Sequence, residues 1–382
     1  MLFRLVSWVY LCFMKEPIKT SLHKHFESFP DYRISRNKKH LLVDIIILSI
    51  VAVLCGAESW DSIETFGKTK EKFLRKFLRL PGGIPSHDTI NCVFSNLRPE
   101  LFERMFIRWV SEIRDGNIKR EVVSLDGKTV RGSKDGFHGR SPIHMVSAWA
   151  SDNQLVLGQL KVDDKENEIT AIPELLDLLD IRGRIITIDA MGAQTAIAEK
   201  IVDGGADYIL AVKGNHRDLL DQIRGRFDRQ HPCDSDLQVD KGHGRLESRK
   251  CDVIRRLDFI DSHVEWKAVR SVVRITATRD NGNKATSETR YYISSLDEGA
   301  ADMNQFIRQH WGIENQLHWS LDMVFNEDRQ RKRAKNAANN FSYIRKIALN
   351  TLRKDKSKGS LVTKRLRAGW DEKFLLELFN QI

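Results

Sequence analysis

Two short apolar runs in the middle of the chain each end in an aspartate that is followed closely by glycine. The run 122–125 ends in Asp126, and the run 185–188 ends in Asp189. Such runs are typical of buried β-strands, and a carboxylate at the end of a buried strand is costly to desolvate unless positive charge meets it. Two such strands side by side bring the carboxylates together, and a divalent cation is the usual remedy. The feature therefore predicts a mixed α/β fold with a metal-dependent site.

The elements around these runs follow the order of a ribonuclease H-like α/β domain. Three strands joined by short turns come first, and helices then alternate with strands. The predicted strands are 122–125, 144–150, 155–161, 185–188 and 208–212, and the predicted helices are 169–179, 193–203 and 215–227. Because this order also occurs in other α/β folds, it favours the ribonuclease H-like core without being unique to it.

The remaining segments divide into a leader, an insertion and a tail. The predicted parts are a helical N-terminal domain at 1–118, the first part of the catalytic core at 119–229, a β-rich insertion at 230–298, a core helix at 299–328 and a basic helical tail at 329–382. In the leader, the short helix 86–97 follows a tight turn. It is predicted either to read DNA as part of a helix-turn-helix unit or to be an ordinary turn of a helical domain.

Positive charge is concentrated near the C-terminus. The net charge is +10, but the stretch from Arg329 to Arg367 holds 14 Lys or Arg against one acid, so it carries +13 and the remainder −3. Clustered positive charge on a nearly neutral body indicates a surface that binds nucleic acid, although a solvated helical face is the alternative. The candidate phosphate contacts in this stretch are Arg331, Lys332 and Arg333.

The cysteines and the apolar segments indicate the cellular compartment of the protein. The five cysteines form no Cys-x-x-Cys pair, which is typical of reduced thiols in a cytoplasmic protein. The apolar segment 1–14 lacks a basic start and a small-residue cleavage site, so export is not expected. The apolar segment 41–57 falls short of the ~20 residues that a membrane-spanning helix needs, so a buried helix is expected there.

A third acid, Glu314, lies in a helix predicted to begin near Ala300 and to continue past Trp319. Two aspartates and a later glutamate can hold two divalent ions by oxygen ligation, which favours Mg²⁺ or Mn²⁺ over zinc. His310 and His318 lie four residues on either side of Glu314, so the three share one helical stripe. The histidines are predicted to contact phosphate or to hydrogen-bond near the acid, with zinc ligation as the alternative. Taken singly, each acid also has an ordinary interpretation as a turn former, helix cap or surface residue.

Four further residues are predicted near the same end of the sheet. Lys128 and Arg131 follow Asp126 closely and are expected to project beside it as phosphate-binding cations. Lys213 and Asn215 stand where the last core strand turns into a helix. Such a junction binds phosphate through backbone N–H groups and the lysine, or is simply a strand-to-helix turn.

Several sequence blocks carry a family resemblance. They are LDGKTVR (125–131), TIDAMGAQ (187–194), AVKGN (211–215), HWGIENQLHWSLD (310–322) and NED (326–328), with CGAESW (55–60) and GIPSHDT (83–89) in the leader. Together they resemble the H-repeat-associated insertion-sequence transposases over about residues 20–370. The resemblance implies a ribonuclease H-like core of the Asp-Asp-Glu type, with Asp126, Asp189 and Glu314 as catalytic metal ligands. It also implies an enzyme that cuts transposon ends and joins the freed 3′-hydroxyl to target DNA, pairing two ends as a homo-oligomer.

The sequence departs from related bacterial transposases around the glutamate. Those proteins carry a Tyr-x₂-Arg-x₃-Glu-x₆-Lys signature, and the corresponding positions here hold Ile307, His310, Glu314 and Leu321. The missing phosphate contacts must come from elsewhere, with Arg308 and His318 as candidates. The sequence leaves two other functions open: an inactive DNA-binding relic of a mobile element, and a ribonuclease H-like nuclease that cuts without joining.

Overall fold

The computed structural model describes residues 21–34, 38–162, 167–242, 245–261, 265–282 and 284–380. The described residues form two compact units, one made of the chain up to Trp109 together with the chain from Ala334 onward, and the other running from Val110 to Arg333. The segment 1–14, which is not expected to be an export signal, lies outside the described residues. The five predicted parts and their boundaries stay a prediction.

In chain order the α-helices and β-strands are α1 (Ser21–Glu27), α2 (Leu42–Leu54), α3 (Trp60–Leu74), α4 (His87–Asn96), α5 (Pro99–Ile113), β1 (Val122–Thr129), β2 (His144–Ala150), β3 (Leu155–Val162), α6 (Glu168–Leu178), β4 (Ile185–Ile188), α7 (Thr195–Asp203), β5 (Asp207–Val212), α8 (Arg217–Arg229), β6 (Asp234–Gly242), β7 (Arg245–Ile254), β8 (Ser271–Asp280), β9 (Ala285–Ser294), α9 (Ala300–His310), α10 (Trp319–Met323), α11 (Ala337–Lys354), α12 (Leu361–Trp370) and α13 (Glu372–Asn380).

The first unit is helical and is organised around the apolar helix α2. Nearly all residues of α2 are buried, including Asp44, whose carboxylate accepts hydrogen bonds from the backbone N–H groups of Leu80 at 2.7 Å and Arg79 at 3.4 Å. Burial raises the pKa of Asp44 despite these bonds. No helix among the described residues is long and apolar enough to cross a membrane.

Part of the C-terminal positive charge is buried in this helical unit. Helix α11 packs beside α2 and α4, and Asn340 Nδ2 donates to the carbonyl of Phe94 at 2.7 Å. The side chains of Arg345 and Lys346 are buried, with the Arg345 guanidinium 4.5 Å from the centroid of the Phe341 ring. The charge between 329 and 367 therefore does not all reach the surface.

The second unit is built on a nine-stranded sheet with the order β3-β2-β1-β4-β5-β9-β8-β7-β6. Strand β1 is antiparallel to β2, which is antiparallel to β3, whereas β1, β4 and β5 are parallel neighbours. Helices α6 and α7 connect these strands, so the first five strands have the order and directions of a ribonuclease H-like core. The predicted fold class is confirmed.

The predicted insertion extends the core sheet with four strands. Strand β9 pairs antiparallel with β5, and β8, β7 and β6 follow in an antiparallel series. Strand β6 is largely polar and lies at the edge of the sheet, where its residues alternate between half-buried and exposed and are all exposed toward its end. An edge strand needs no apolar face on its outer side, so the period-2 signal is weak.

The predicted continuous helix from 300 past 319 is wrong. Helix α9 ends at His310, a π-helical turn covers Ile313–His318, and α10 follows directly. The break coincides with Gly312, where a Cβ would lie 3.1 Å from the indole Nε1 of Trp149 on β2. Glycine therefore lets the helix approach the sheet closely, and the wider π turn changes the direction in which Glu314 projects.

A buried ion pair joins the starts of β1 and β4. Glu121 Oε2 accepts a hydrogen bond from Arg184 Nη1 at 2.6 Å, and both side chains are buried. The second oxygen of Glu121 accepts from the backbone and side-chain N–H groups of Asn153 at 2.9 and 2.8 Å. This carboxylate thus joins the start of β1 to the residue before β4 and to the turn between β2 and β3.

We expect Glu121→Gln to destabilise the protein by about 3 kcal/mol, because it leaves the Arg184 guanidinium buried without its counter-charge. The exposed pair Lys200–Asp177, with Nζ–Oδ2 at 2.7 Å, supplies the control. Asp177→Asn should change stability by less than about 0.5 kcal/mol. Urea unfolding followed by tryptophan fluorescence measures both, and equal effects of the two variants would contradict the structural role of Glu121.

Candidate active site

The register of the parallel ladder brings Asp126 and Asp189 to neighbouring positions. Leu125 pairs with Ile188 as the last pair between β1 and β4, so each aspartate is the first residue beyond the ladder. Strand β1 itself continues to Thr129 because β2 still pairs with it there. Asp126 is therefore held in a regular strand, whereas Asp189 begins a turn.

Asp126, Asp189 and Glu314 line one cavity of about 310 Å³, together with Lys213 and His310. The structure thus brings the three acids to one place, as the sequence predicts. Within the described ranges, no three acidic, histidine or cysteine side chains approach closely enough to bind a single metal ion together. The three acids line one cavity, but their carboxylates are farther apart than the ligands of a single metal ion.

Asp126 is the electrostatic centre of the cavity. Its pKa is raised from 3.8 to about 7, first by burial and then by the negative charges of Glu168, Asp189 and Glu314. The imidazole Nδ1 of His318 lies 3.6 Å from Oδ2 of Asp126. Uncompensated negative charge on an oxygen-only donor set fits a hard divalent cation such as Mg²⁺ or Mn²⁺.

The turn after Asp189 is fixed by hydrogen bonds. Asp189 Oδ1 accepts from the backbone N–H groups of Met191 at 3.1 Å and Gly192 at 3.4 Å. A Cβ on Gly192 would overlap with the side chain of Ile188, so glycine permits this turn. Asn215 Nδ2 donates to the carbonyl of Ala190 at 2.6 Å, which places Asn215 in a supporting position and leaves Lys213 as the exposed cation of this junction.

His310 is neutral and positions a neighbouring strand. Its Nδ1 lies 2.9 Å from the hydroxyl of Thr187, two residues before Asp189. Burial, together with the charges of Arg290 and Lys213, lowers the pKa of His310 to about 4. The π turn after His310 changes the regular four-residue spacing on which the predicted stripe of His310, Glu314 and His318 depends. His310 and Glu314 nevertheless line the same cavity, and His318 lies beside Asp126.

Lys128 lies in a cluster of three acids. Its Nζ bonds to Asp322 and to Glu327 Oε2 at 3.0 Å, and Asp328 Oδ1 lies 3.9 Å away. Burial alone would lower the pKa of Lys128, but Glu327 and Asp322 raise it, so the ammonium stays charged. Lys128 therefore ties β1 to the segment after α10, and a contact with phosphate stays a prediction.

Comparisons with known proteins agree with this architecture. A family model described as Transposase DDE domain matches residues 117–351. The chain belongs to the DDE transposase family. A second model, described as DDE_Tnp_1-associated, matches residues 23–110.

Two relatives from Escherichia coli (strain K12) match this transposase over nearly its whole length. Putative protein YbfL is 44% identical over 366 residues, which cover 93% of this chain and 96% of YbfL. H repeat-associated putative transposase YhhI is 43% identical over 366 residues, which cover 93% of this chain and 96% of YhhI. Among solved structures, the piggyBac transposase synaptic complex with hairpin DNA covers 95% of this chain and 78% of its own, at 10% identity and a TM-score of 0.40. The family resemblance is confirmed, and with it the assignment as an insertion-sequence DNA transposase.

The predicted cations of the transposase differ in exposure. Arg131 is 84% exposed, with its Nε 3.6 Å from Asp328 Oδ2. Arg331 and Arg333 are exposed, whereas Lys332 is buried. Arg131, Arg331 and Arg333, together with the exposed Lys213, are therefore the predicted cations that can meet a ligand in this conformation.

A second cavity of about 1070 Å³, missed by the sequence analysis, also reaches Glu314. Its wall carries a set of arginines from β7, β8, β9 and α9: Arg245, Arg249, Arg279, Arg290 and Arg308. Several are paired, as Arg308 is with Asp240 at 2.6 Å, and Arg290 lies 4.1 Å from the centroid of the Trp311 ring. The sequence does contain these arginines on neighbouring strands. Only the strand register, however, shows that their side chains line one wall of this cavity.

We expect Asp126→Asn to stabilise the metal-free transposase at neutral pH. Because the folded-state pKa of Asp126 is raised from 3.8 to about 7, the native state binds more protons between these values, and stability falls as pH rises through this window. The gain for Asp126→Asn should be near zero at pH 4 and reach a few kcal/mol by pH 8, at about 1.4 kcal/mol per pKa unit.

Thermal unfolding in EDTA at several pH values measures this difference. Exposed Asp228 on α8 provides the control, since Asp228→Asn should give no such pH-dependent gain. A pH-independent effect of Asp126→Asn would show that Asp126 ionises normally in the folded protein.

Proposed function

We propose that this transposase cuts DNA at the ends of its element and joins the freed 3′-hydroxyl to target DNA, using two Mg²⁺ or Mn²⁺ ions. Asp126, Asp189 and Glu314 would hold these ions by oxygen ligation. The observation that carries the proposal is the shared cavity of the three acids, in which burial and like charge raise the pKa of Asp126 to about 7. Bound ions supply activation of the attacking hydroxyl and neutralisation of charge on the leaving oxygen.

The transposase's own residues hold these ligands in place. The β1–β4 ladder fixes the backbone of Asp126, and backbone N–H groups fix the carboxylate of Asp189. Glu314 lies in the π turn, which is anchored before it by the His310–Thr187 contact and after it by the Lys128 ion cluster. Such support on regular elements is what a phosphoryl-transfer site needs for precise positioning.

The DNA partner is proposed to lie along the cationic rim of the acid cavity. The arginine wall of the larger cavity shares Glu314 with the acid cavity, so a phosphate backbone on that wall leads to the acids. Lys213, Arg131, Arg331 and Arg333 supply exposed positive charge in the same unit. Two ends must be held together during transposition, so a homo-oligomer is the proposed working form, acting on double-stranded DNA in the cytoplasm.

Asp126→Asn, Asp189→Asn and Glu314→Gln should each abolish strand cleavage and strand transfer while DNA affinity stays within a few-fold of that of the unsubstituted transposase. Each change removes one ionic oxygen ligand and keeps the side-chain shape. Cleavage and joining of labelled terminal-repeat DNA in Mg²⁺, with gel-shift binding alongside, measure both properties. Full cleavage by any of the three variants would refute the assignment.

The same assay separates the two alternative functions. A ribonuclease H-like nuclease would produce cut ends without joined product, and an inactive relic would bind DNA without cutting it. Replacement of Mg²⁺ by Ca²⁺, an oxygen-binding ion with looser geometry, serves as the control for binding without chemistry.

Arg331→Gln combined with Arg333→Gln should weaken binding to all DNA sequences by a similar factor. If both arginines contact phosphate, the slope of log K against log salt concentration becomes shallower by about 2, at about 0.9 per contact. Binding measured from low to moderate salt tests this. Lys332→Gln is the matched control, since its buried side chain should leave the slope unchanged. An unaltered slope in the double variant would place the two arginines outside the DNA interface.

A further inference from the structure

Glu168 stands at the start of α6, the helix that follows the first three strands. Asn167 is the N-cap, its side chain accepting a hydrogen bond from the Ile169 N–H at 3.0 Å. Glu168 is thus the first helical residue, where a carboxylate is favoured by the helix dipole. Its side chain is 13% exposed, so the carboxylate points toward the sheet and away from bulk solvent.

Gly127 opens a gap through which Glu168 reaches the site. Successive residues of a strand point to opposite faces, so a side chain on Gly127 would project to the face opposite that of Asp126. A Cβ built on Gly127 would overlap with Glu168 Oε1 and lie 2.5 Å from His144 Nε2. The Glu168 carboxylate therefore occupies the space that any other residue at 127 would fill, directly beside the backbone of Asp126.

A short chain of hydrogen bonds holds Glu168 in this gap. His144 Nε2 lies 2.6 Å from Glu168 Oε1, and its Nδ1 lies 2.9 Å from the hydroxyl of Thr129. If the Thr129 hydroxyl donates to Nδ1, the neutral ring donates from Nε2 to the carboxylate. Among the described residues nothing donates to the other oxygen of Glu168, so that oxygen keeps its lone pairs for a ligand.

We propose that Glu168 is a fourth carboxylate ligand of the divalent-ion site, positioned by His144 and admitted by Gly127. This inference rests on the proposed function, since it assumes that Asp126 binds a divalent ion. The electrostatics agree with the geometry: of the three carboxylates that act on Asp126, Glu168 has the largest influence. With the Glu168 carboxylate beside the strand that carries Asp126, the site holds more negative charge than an Asp-Asp-Glu set alone, and a cation offsets it.

Mn²⁺ binding to the full-length transposase without DNA provides the test, because it reports on the ligands independently of catalysis. Glu168→Gln should weaken Mn²⁺ binding by 10-fold or more in calorimetric titration, as loss of an ionic ligand does. Gly127→Ala should have a similar effect, because the added methyl group displaces the Glu168 carboxylate. His144→Gln should weaken binding less than Glu168→Gln does, because it removes a supporting hydrogen bond and leaves the carboxylate itself in place.

The matched control is Glu174→Gln, an exposed glutamate on the same helix, which should leave Mn²⁺ affinity unchanged. A second readout replaces Mn²⁺ with Fe²⁺ and uses hydroxyl radicals generated at the bound ion to cut the chain. Cuts are expected near both Asp126 and Glu168, and the cut near Glu168 should disappear in Gly127→Ala.

The outcomes distinguish this inference from the proposed function. If Asp126→Asn abolishes Mn²⁺ binding while Glu168→Gln and Gly127→Ala bind with unchanged affinity, Glu168 is not a ligand and only the inference fails. If neither Asp126→Asn nor Asp189→Asn changes Mn²⁺ binding, the proposed metal site itself fails, and the inference with it. Circular dichroism of each variant confirms that the fold is retained, and Glu168→Asp, which keeps the charge, should recover part of the lost affinity.

Discussion

The concentration of negative charge around Asp126 is the constraint on which the rest of the second unit, Val110–Arg333, depends. A buried carboxylate beside three others is unfavourable in the absence of a cation, and its raised pKa expresses that cost. The surrounding fold must therefore hold the acids in place against their mutual repulsion. It does so by placing Asp126 on a strand that is paired on both sides up to the acid, with the buried Glu121–Arg184 pair fixing the far end of the same ladder.

Glu314 is positioned by helix–sheet contacts and not by strand pairing. Glu314 comes from a helical segment remote in sequence, and its position depends on how closely that segment approaches β2. Gly312 allows the close approach to Trp149, and the Lys128 cluster anchors the chain beyond α10 to β1. The single positive charge of Lys128 thus offsets part of the negative charge of three acids that would otherwise add to the repulsion near the site. The same lysine cannot at once neutralise these acids and bind phosphate with full strength.

The strongest sequence signals were local ones. The apolar runs before Asp126 and Asp189 predicted both strands and the meeting of the acids, because strand period and a terminal carboxylate are visible within a few residues. The break after His310 was not predictable from apolar spacing, since it depends on Trp149 lying opposite Gly312. Likewise β6 lacked an apolar face, and the roles of Lys128 and Glu168 depend on partners far along the chain. In each case the missing information was a tertiary contact between residues whose local patterns are ordinary.

The positive charge, unlike the acids, is not located where the sequence pattern suggests. Counted along the sequence, the basic residues are concentrated between 329 and 367, yet Arg345 and Lys346 are buried in the helical unit and Lys332 is buried in the catalytic one. The arginines on β7, β8 and β9 are scattered in sequence, but the sheet register gathers them on one wall. Sequence density of charge is therefore a weaker guide to a DNA-binding surface than the register of the strands that present it. A polyanion approaching this unit meets these arginines together with the acids Asp240, Glu247 and Glu288 that line the same cavity, so the pairing of arginines with acids decides how much positive charge reaches it.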